Sequence, residues 1–215
     1  MNEEKLYYMF YKPQGYITAR SDANQQTIME FFPGELREKL FPIGRLDKDT
    51  EGLLLLTDDG MFNQSLMHPD RHVSKTYFFY AFGDINEEKI SLMENGLFLN
   101  GEDKITSKAW IDIKEKGIYR DYIDKIKLKK RLRDNDYNMN RPVFAGTITI
   151  TEGRKHQVKR MLSAVECKIV YLKRVAIGGL QLDEELGFGG YRKLKSEELE
   201  YVYDFGVKDR GKREY

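Results

Sequence analysis

Residues 143–167, VFAGTITITEGRKHQVKRMLSAVEC, change their hydrophobic period midway. From Thr147 to Thr151 apolar and polar residues alternate, the period of two that marks a half-buried strand, so Val143 to Thr151 reads as a strand. After Glu152-Gly153 the period becomes helical. Val158, Met161, Leu162 and Val165 fall at i, i+3, i+4 and i+7, which predicts a helix over Lys155 to Cys167 with one core-facing stripe. Both element types must therefore meet in one core.

The same reading extends toward the N-terminus. Leu6 to Tyr11 is an apolar and aromatic strand that ends in the turn Lys12-Pro13-Gln14-Gly15. Phe31-Phe32-Pro33-Gly34 closes a short helix, and Leu53 to Leu56 reads as a buried strand stopped by Thr57-Asp58-Asp59-Gly60. Asp58 or Asp59 then caps a helix beginning near Met61. Lys75 to Phe82 and Trp110 to Ile113 read as strands, with a helix from Ile85 to Leu97 between them that stops at Asn95-Gly96. Strands and helices mix without regular βαβ alternation. The expected class is α+β, with a mixed, largely antiparallel sheet and flanking helices.

Composition narrows the function classes. The 215 residues carry 36 Lys and Arg against 35 Asp and Glu, with 40% hydrophobic and 13% aromatic residues. Near-cancelling charge with plentiful aromatics excludes a disordered chain. The longest apolar runs, Leu53 to Leu56 and Tyr77 to Phe82, fall far short of the roughly 20 residues that span a bilayer. MNEEKLYYMF has no signal-peptide pattern, so a cytoplasmic protein without membrane association is expected. Cys167 is the single cysteine and His68, His72 and His156 are the three histidines, a set too poor in nitrogen and sulfur ligands to suggest a metal site.

Charge is balanced overall but not locally. Gly153 to Arg174 holds seven Lys or Arg and one acid, Glu166, and KIKLKKRLR from Lys125 to Arg133 holds six basic residues in nine. Such patches on a neutral chain suggest a polyanion track, and each also reads as a solvated face. The acids gather late, at Asp183, Glu184, Glu185, Glu197, Glu198 and Glu200. Between two apolar strands lies a glycine-flanked loop, Gly44-Arg45-Leu46-Asp47-Lys48-Asp49-Thr50-Glu51-Gly52, with three carboxylates beside Arg45 and Lys48. A loop anchored by buried strands places reactive groups well. Two readings of these residues stay open: an acidic turn with local ion pairs, and a carboxylate pair doing glycosidase-like work.

GRLDKDTEGLLLLTDDG resembles the signature of ribosomal RNA pseudouridine synthases of the RsuA type, the group of RsuA, RluB, RluE and RluF. Three more segments agree in order: Lys12-Pro13-Gln14-Gly15 with the family's KPxG, Lys75-Thr76-Tyr77 with its KTY, and EGRKHQVKRML from Glu152 to Leu162 with its EGRxHQVKRML. The ending, Leu172-Lys173-Arg174 through Ile177-Gly178-Gly179 and then Gly190-Tyr191-Arg192-Lys193-Leu194, follows the family too. The resemblance covers nearly the whole chain. It implies two subdomains around a central catalytic cleft, with residues 1–205 as the catalytic domain; in departure from the family, about 114–142 reads as a basic insertion, and 206–215 reads as a charged tail. The chain begins at the strand before KPQG, so the N-terminal RNA-binding module usual in the group is expected to be lacking.

The activity this resemblance implies is isomerisation of a specific uridine to pseudouridine in ribosomal RNA, without metal or cofactor. Asp47 matches the family's catalytic aspartate, which attacks the anomeric carbon or takes a proton from the neighbouring ribose carbon. Lys159 matches its basic partner. Tyr77 matches the tyrosine that stacks on the base, and its other reading is a strand aromatic in the core. Val158 would form the apolar wall under the base. Arg45, Arg154, Lys155, His156, Gln157, Arg160 and Lys12 complete the expected substrate-binding set, and the insertion reads as a substitute RNA contact or a plain surface insertion. The expected partner is ribosomal RNA, free or in an assembling subunit, and the expected state a monomer. Two other classes compete: an inactive RNA-binding protein of ribosome assembly, against which Asp47, Tyr77 and Lys159 together argue, and a nucleosidase using Asp47 and Asp49. Hydrolysis would release uracil, whereas isomerisation leaves RNA mass unchanged.

Overall fold

A strand with no polar face must be covered on both sides, and Glu51–Thr57 (β3) is buried at every position. It pairs antiparallel with Tyr7–Lys12 (β1), setting Phe10 opposite Leu54 and Met9 opposite Leu55. Partners in an antiparallel pair share a face. One face of the pair packs Met9, Tyr11, Leu53 and Leu55 with Phe62, Leu66 and Val73. On the other, Phe10 lies 5.4 Å from Phe31 and 5.3 Å from Phe32, ring to ring, and Phe32 lies 4.6 Å from Tyr191. Burial of each such ring stabilises the fold by about 1.5–3 kcal/mol.

The computed structural model describes residues 4–126 and 139–203, which fall into two compact units. Unit one comprises the chain up to Lys75 and again from Lys173; unit two is Thr76–Leu172. Positions 127–133 of the basic run and the tail 206–215 lie outside the described residues.

In unit one the sheet order is β7-β3-β1-β9, where β7 is Lys168–Ile177 and β9 is Tyr191–Lys193. Phe41–Ile43 (β2) pairs with β3, and Leu180–Gln181 (β8) with β7. Only the end of β7 from Lys173 belongs to this unit, and it runs parallel to β3, which makes the sheet mixed. Gly52 allows that pairing: its φ is +108°, and a Cβ there would come within 2.2 Å of the Arg174 carbonyl. Gly34–Lys39 (α1) follows the 3-10 turn Ile28–Phe31, so Phe31-Phe32-Pro33-Gly34 ends one short helix and begins another. Of the two candidate caps, Asp59 takes the role at Gly60–Met67 (α2), accepting from the Met61 and Phe62 amides at 2.9 and 3.1 Å. Asp58 instead accepts from the Leu6 amide. The late acids hold the unit's end together. Arg192 on β9 donates to Asp183 at 2.7 Å and to both oxygens of Glu198 at 2.8 Å, tying β9 to Ser196–Tyr203 (α5).

Unit two carries the sheet order β5-β6-β4-β7, from Ala109–Ile118 (β5), Pro142–Ile150 (β6), Lys75–Phe82 (β4) and the start of β7. Tyr80, Phe82, Tyr119, Tyr122, Val143 and Ala145 form a core on it. The strand expected at Trp110 to Ile113 runs on to Ile118, so residues 114–118 of the expected insertion are strand. Glu87–Asn95 (α3) is capped by Asn86, whose side chain accepts from the Lys89 amide, and stops at Gly96 with φ +96°. Gln157–Ala164 (α4) buries the expected stripe, Val158, Met161 and Leu162, with Val165 just beyond. Among the described residues no helix is long and apolar enough to cross a membrane.

Candidate active site

In unit one the loop between β2 and β3 is shaped by a cation from a different strand. Lys12, at the end of β1, is fully buried, and its ammonium donates to the carbonyls of Pro13 (3.0 Å), Asp47 (3.1 Å) and Thr50 (2.9 Å). Lys12, expected to bind substrate, has no exposed surface, and its ammonium serves the backbone of the loop. Backbone oxygens accept strongly from an ammonium. Thr18 adds two bonds to Leu46, its hydroxyl donating to the carbonyl at 2.9 Å and accepting from the amide at 3.1 Å. The Gly15 amide donates to the Lys48 carbonyl at 2.8 Å, so the KPQG turn and the acidic loop are bonded backbone to backbone. Leu46 is buried, Asp47 half-buried, and Arg45, Lys48 and Asp49 exposed. Arg45, Asp47 and Lys12 are thus brought together, with Lys12 underneath.

In unit two Tyr77 lies on β4 at 9% exposure, and Val158 and Lys159 are consecutive on α4, the first buried and the second half-buried. The helix begins two residues later than expected. His156 has φ +54° and ψ +29°, the left-handed region, and precedes it as the cap. Lys155 therefore lies outside the helix. Lys155 and His156 are exposed.

The rest of the EGRKHQVKR segment is occupied with the protein itself. The Arg154 guanidinium pairs with Glu102 at 2.6 Å and Glu152 at 3.2 Å, and donates to the carbonyls of Lys104 and Ile105 at 2.7 and 2.5 Å. Arg160 pairs with the other oxygen of Glu102 and donates to the Asn100 carbonyl at 2.8 Å. Gln157, 3% exposed, donates to Glu152 at 2.7 Å and accepts from the Arg154 amide at 2.9 Å. Hydrogen bonds from Arg160 and Arg154 hold the Glu102 carboxyl below the usual carboxylate range. Arg154 and Arg160, both expected to hold RNA, clamp the helix start to the segment after α3, and Gln157, expected with them, bonds back to Glu152. Glu102, Glu152, Thr18 and Thr50 are supports that sequence reading missed. Their partners lie up to 58 residues away, as Arg160 does from Glu102, so no local pattern marks them.

Among the described residues no group of three or more His, Cys, Asp or Glu side chains could hold a metal ion.

Comparison with known proteins fits these segments. The family model described as RNA pseudouridylate synthase matches residues 6–164. An uncharacterized RNA pseudouridine synthase of Bacillus subtilis (strain 168) is 41% identical over 197 residues, which is 91% of this chain and 72% of that protein. The ribosomal small subunit pseudouridine synthase A of Haemophilus influenzae is 38% identical, over 92% of this chain and 74% of its own length. A crystal structure of a pseudouridylate synthase superposes with a TM-score of 0.76 at 36% identity, covering 93% of this chain and 74% of that one. With the acidic loop, KPQG, KTY and the EGRKHQVKRML segment all inside the matched span, the chain belongs to the RNA pseudouridylate synthase family and is an RNA pseudouridine synthase.

Proposed function

We propose that this protein isomerises one uridine of ribosomal RNA to pseudouridine, with Asp47 as the essential group. The reading is carried by the Asp47 loop, whose backbone is held by a buried ammonium at the Asp47 and Thr50 carbonyls. A reacting group fixed in this way is placed before substrate arrives, and preorganisation of that kind lowers a barrier without rearrangement at the moment of reaction. The Asp47 carboxylate attacks the anomeric carbon or removes a proton from the neighbouring ribose carbon. The glycosidic bond then breaks, and the base rotates and is rejoined through carbon 5, so the RNA keeps its mass.

Tyr77 stacks on the base and Val158 forms the apolar wall beneath it. Lys159 is the basic partner of that aspartate. Arg45, exposed on the same loop as Asp47, holds a neighbouring phosphate or fills the place of the extruded base. Base extrusion costs a few kcal/mol, which stacking and edge hydrogen bonds offset. Lys155 and His156, both exposed, contact the backbone. No metal or cofactor is assigned a role, so activity is expected to persist in chelator.

Relatives at 33–38% identity are named ribosomal small subunit pseudouridine synthase A, which makes small-subunit RNA the first substrate to map. In a deletion strain, carbodiimide-dependent reverse-transcription stops should vanish at one ribosomal position. They should return with the wild-type gene and not with Asp47→Asn. An unchanged stop pattern in the deletion strain overturns the reading.

A further inference from the structure

The segment between α3 and β5 presents two large apolar side chains to solvent: Phe98 is 65% exposed and Ile105 is 49% exposed. They face each other across an antiparallel bridge, so they stand side by side on one face of a small hairpin. The hairpin is stiff. The Thr106 amide donates to the Leu97 carbonyl at 3.0 Å, the Glu102 amide to the Leu99 carbonyl at 3.0 Å, and Leu99 and Thr106 are buried at its base. Arg154 and Arg160 grip it through Glu102 and the carbonyls of Asn100, Lys104 and Ile105. Side chains so held keep little freedom to fold back onto the protein.

The surroundings favour an anionic partner. Lys104 and Lys155 are exposed, and both are tied by their carbonyls to the same two guanidinium groups, Lys104 to Arg154 at 2.7 Å and Lys155 to Arg160 at 3.3 Å. His156 follows, also exposed, while the Glu102 charge is matched by the two arginines and Asp103 is the exposed acid of the turn. An exposed aromatic ring on a rigid support, with exposed lysines on the same clamped segments, is the chemistry that binds unpaired RNA: the ring stacks on a base and the ammoniums meet the backbone.

We propose that the Leu97 to Thr106 hairpin is an RNA-recognition element in which Phe98 stacks on an unpaired base of the substrate, while the exposed Lys104 and Lys155 meet the backbone of the same RNA. The inference rests on the reading that this chain modifies ribosomal RNA, and it adds a contact outside the reacting residues.

The test measures affinity and single-turnover isomerisation on a small-subunit ribosomal RNA transcript, using the full chain and the variants Phe98→Ala, Phe98→Leu and Phe98→Tyr. Phe98→Ala should weaken binding by about fivefold or more, with the rate at saturating RNA within twofold of wild type. Phe98→Tyr should restore affinity and Phe98→Leu should not, because stacking needs a π face. If Phe98→Ala binds as wild type does, or Phe98→Leu restores binding fully, the inference is wrong while the functional reading stands. A wild-type protein that binds and isomerises neither small- nor large-subunit transcripts overturns both. The exposed position makes folding a minor concern, and matched melting temperatures verify it.

Discussion

The acidic loop of unit one and the EGRKHQVKR segment of unit two are alike as sequence, glycine-bearing and dense in charge, yet they use their cations differently. Beneath the loop a lysine binds backbone carbonyls, so the path of the chain through Asp47 is fixed by oxygens that carry no charge. In the segment two arginines bind a carboxylate 52 and 58 residues away, joining pieces of chain that share no turn. Lysine suits the first task because its compact ammonium fits among converging carbonyls, and arginine the second because its planar fork can serve several acceptors at once. A motif cation is therefore scaffold or contact according to its burial and partners, not its place in the motif.

That contrast breaks first at Lys12. Lys12→Met keeps the stem's volume but removes the donor from the Asp47 and Thr50 carbonyls. The expected loss is about 2–4 kcal/mol of stability, seen as a fall of roughly 5–15 °C in melting temperature. The isomerisation rate should drop more than tenfold with little change in RNA affinity. A variant that melts with the wild type and loses only RNA binding would return Lys12 to the role of a contact.

A smaller effect is expected at Lys75, another lysine that donates to a carbonyl, that of Val73 at 2.9 Å. Burial, with Arg174 as the second cause, lowers its pKa from 10.5 to about 8. The folded protein gives up this proton near pH 8 while the unfolded chain holds it to about 10.5, so between those values the unfolded state binds more protons and stability rises with pH. Lys75→Met removes that gain. Its stability advantage over wild type at pH 7 should shrink by on the order of 2 kcal/mol across the window. Denaturant titrations at several pH values measure it, and a constant difference would show that burial does not disfavour the charge.

The smallest expected effects separate the arginines from their neighbour. Arg160→Gln should cost about 1–2 kcal/mol of stability and leave the salt dependence of RNA binding unchanged, because its partners are Glu102 and the carbonyls of Asn100 and Lys155. Lys155→Ala should do the reverse, with stability within about 0.5 kcal/mol and the salt slope reduced by up to about 0.7–0.9. Identical behaviour of the two would erase the distinction between clamp and contact.

Much of the fold was legible because the deciding signals are local. The alternation at Thr147 to Thr151, the stripe from Val158 to Val165, the apolar run at Leu53 to Leu56 and the aspartate before α2 each specify an element within a few residues. Strand β5 runs past its apolar pattern for a physical reason. It is the edge of its sheet in unit two, and edge strands carry charges such as Lys114, Glu115 and Lys116 that break the apolar pattern. The helix start was misplaced because the left-handed turn at His156 has no glycine or asparagine to announce it. Within the candidate site the partners of the buried and clamping cations are not legible in the sequence. Nothing near Lys12 in sequence shows that Thr50 will lie over its ammonium, and nothing near Arg154 points to Glu102.

The proposed division between a reacting carboxylate and the scaffold that fixes it is tested most directly at Asp47. Release of tritium from RNA labelled at carbon 5 of uridine, followed in single turnover for Asp47→Asn, should fall below detection. The variant's affinity for the same RNA should stay within a few-fold of wild type, since the amide preserves shape and the basic groups bind the backbone. Turnover above about a tenth of the wild-type rate would contradict the account, because the loop would then be holding something other than the reactive group.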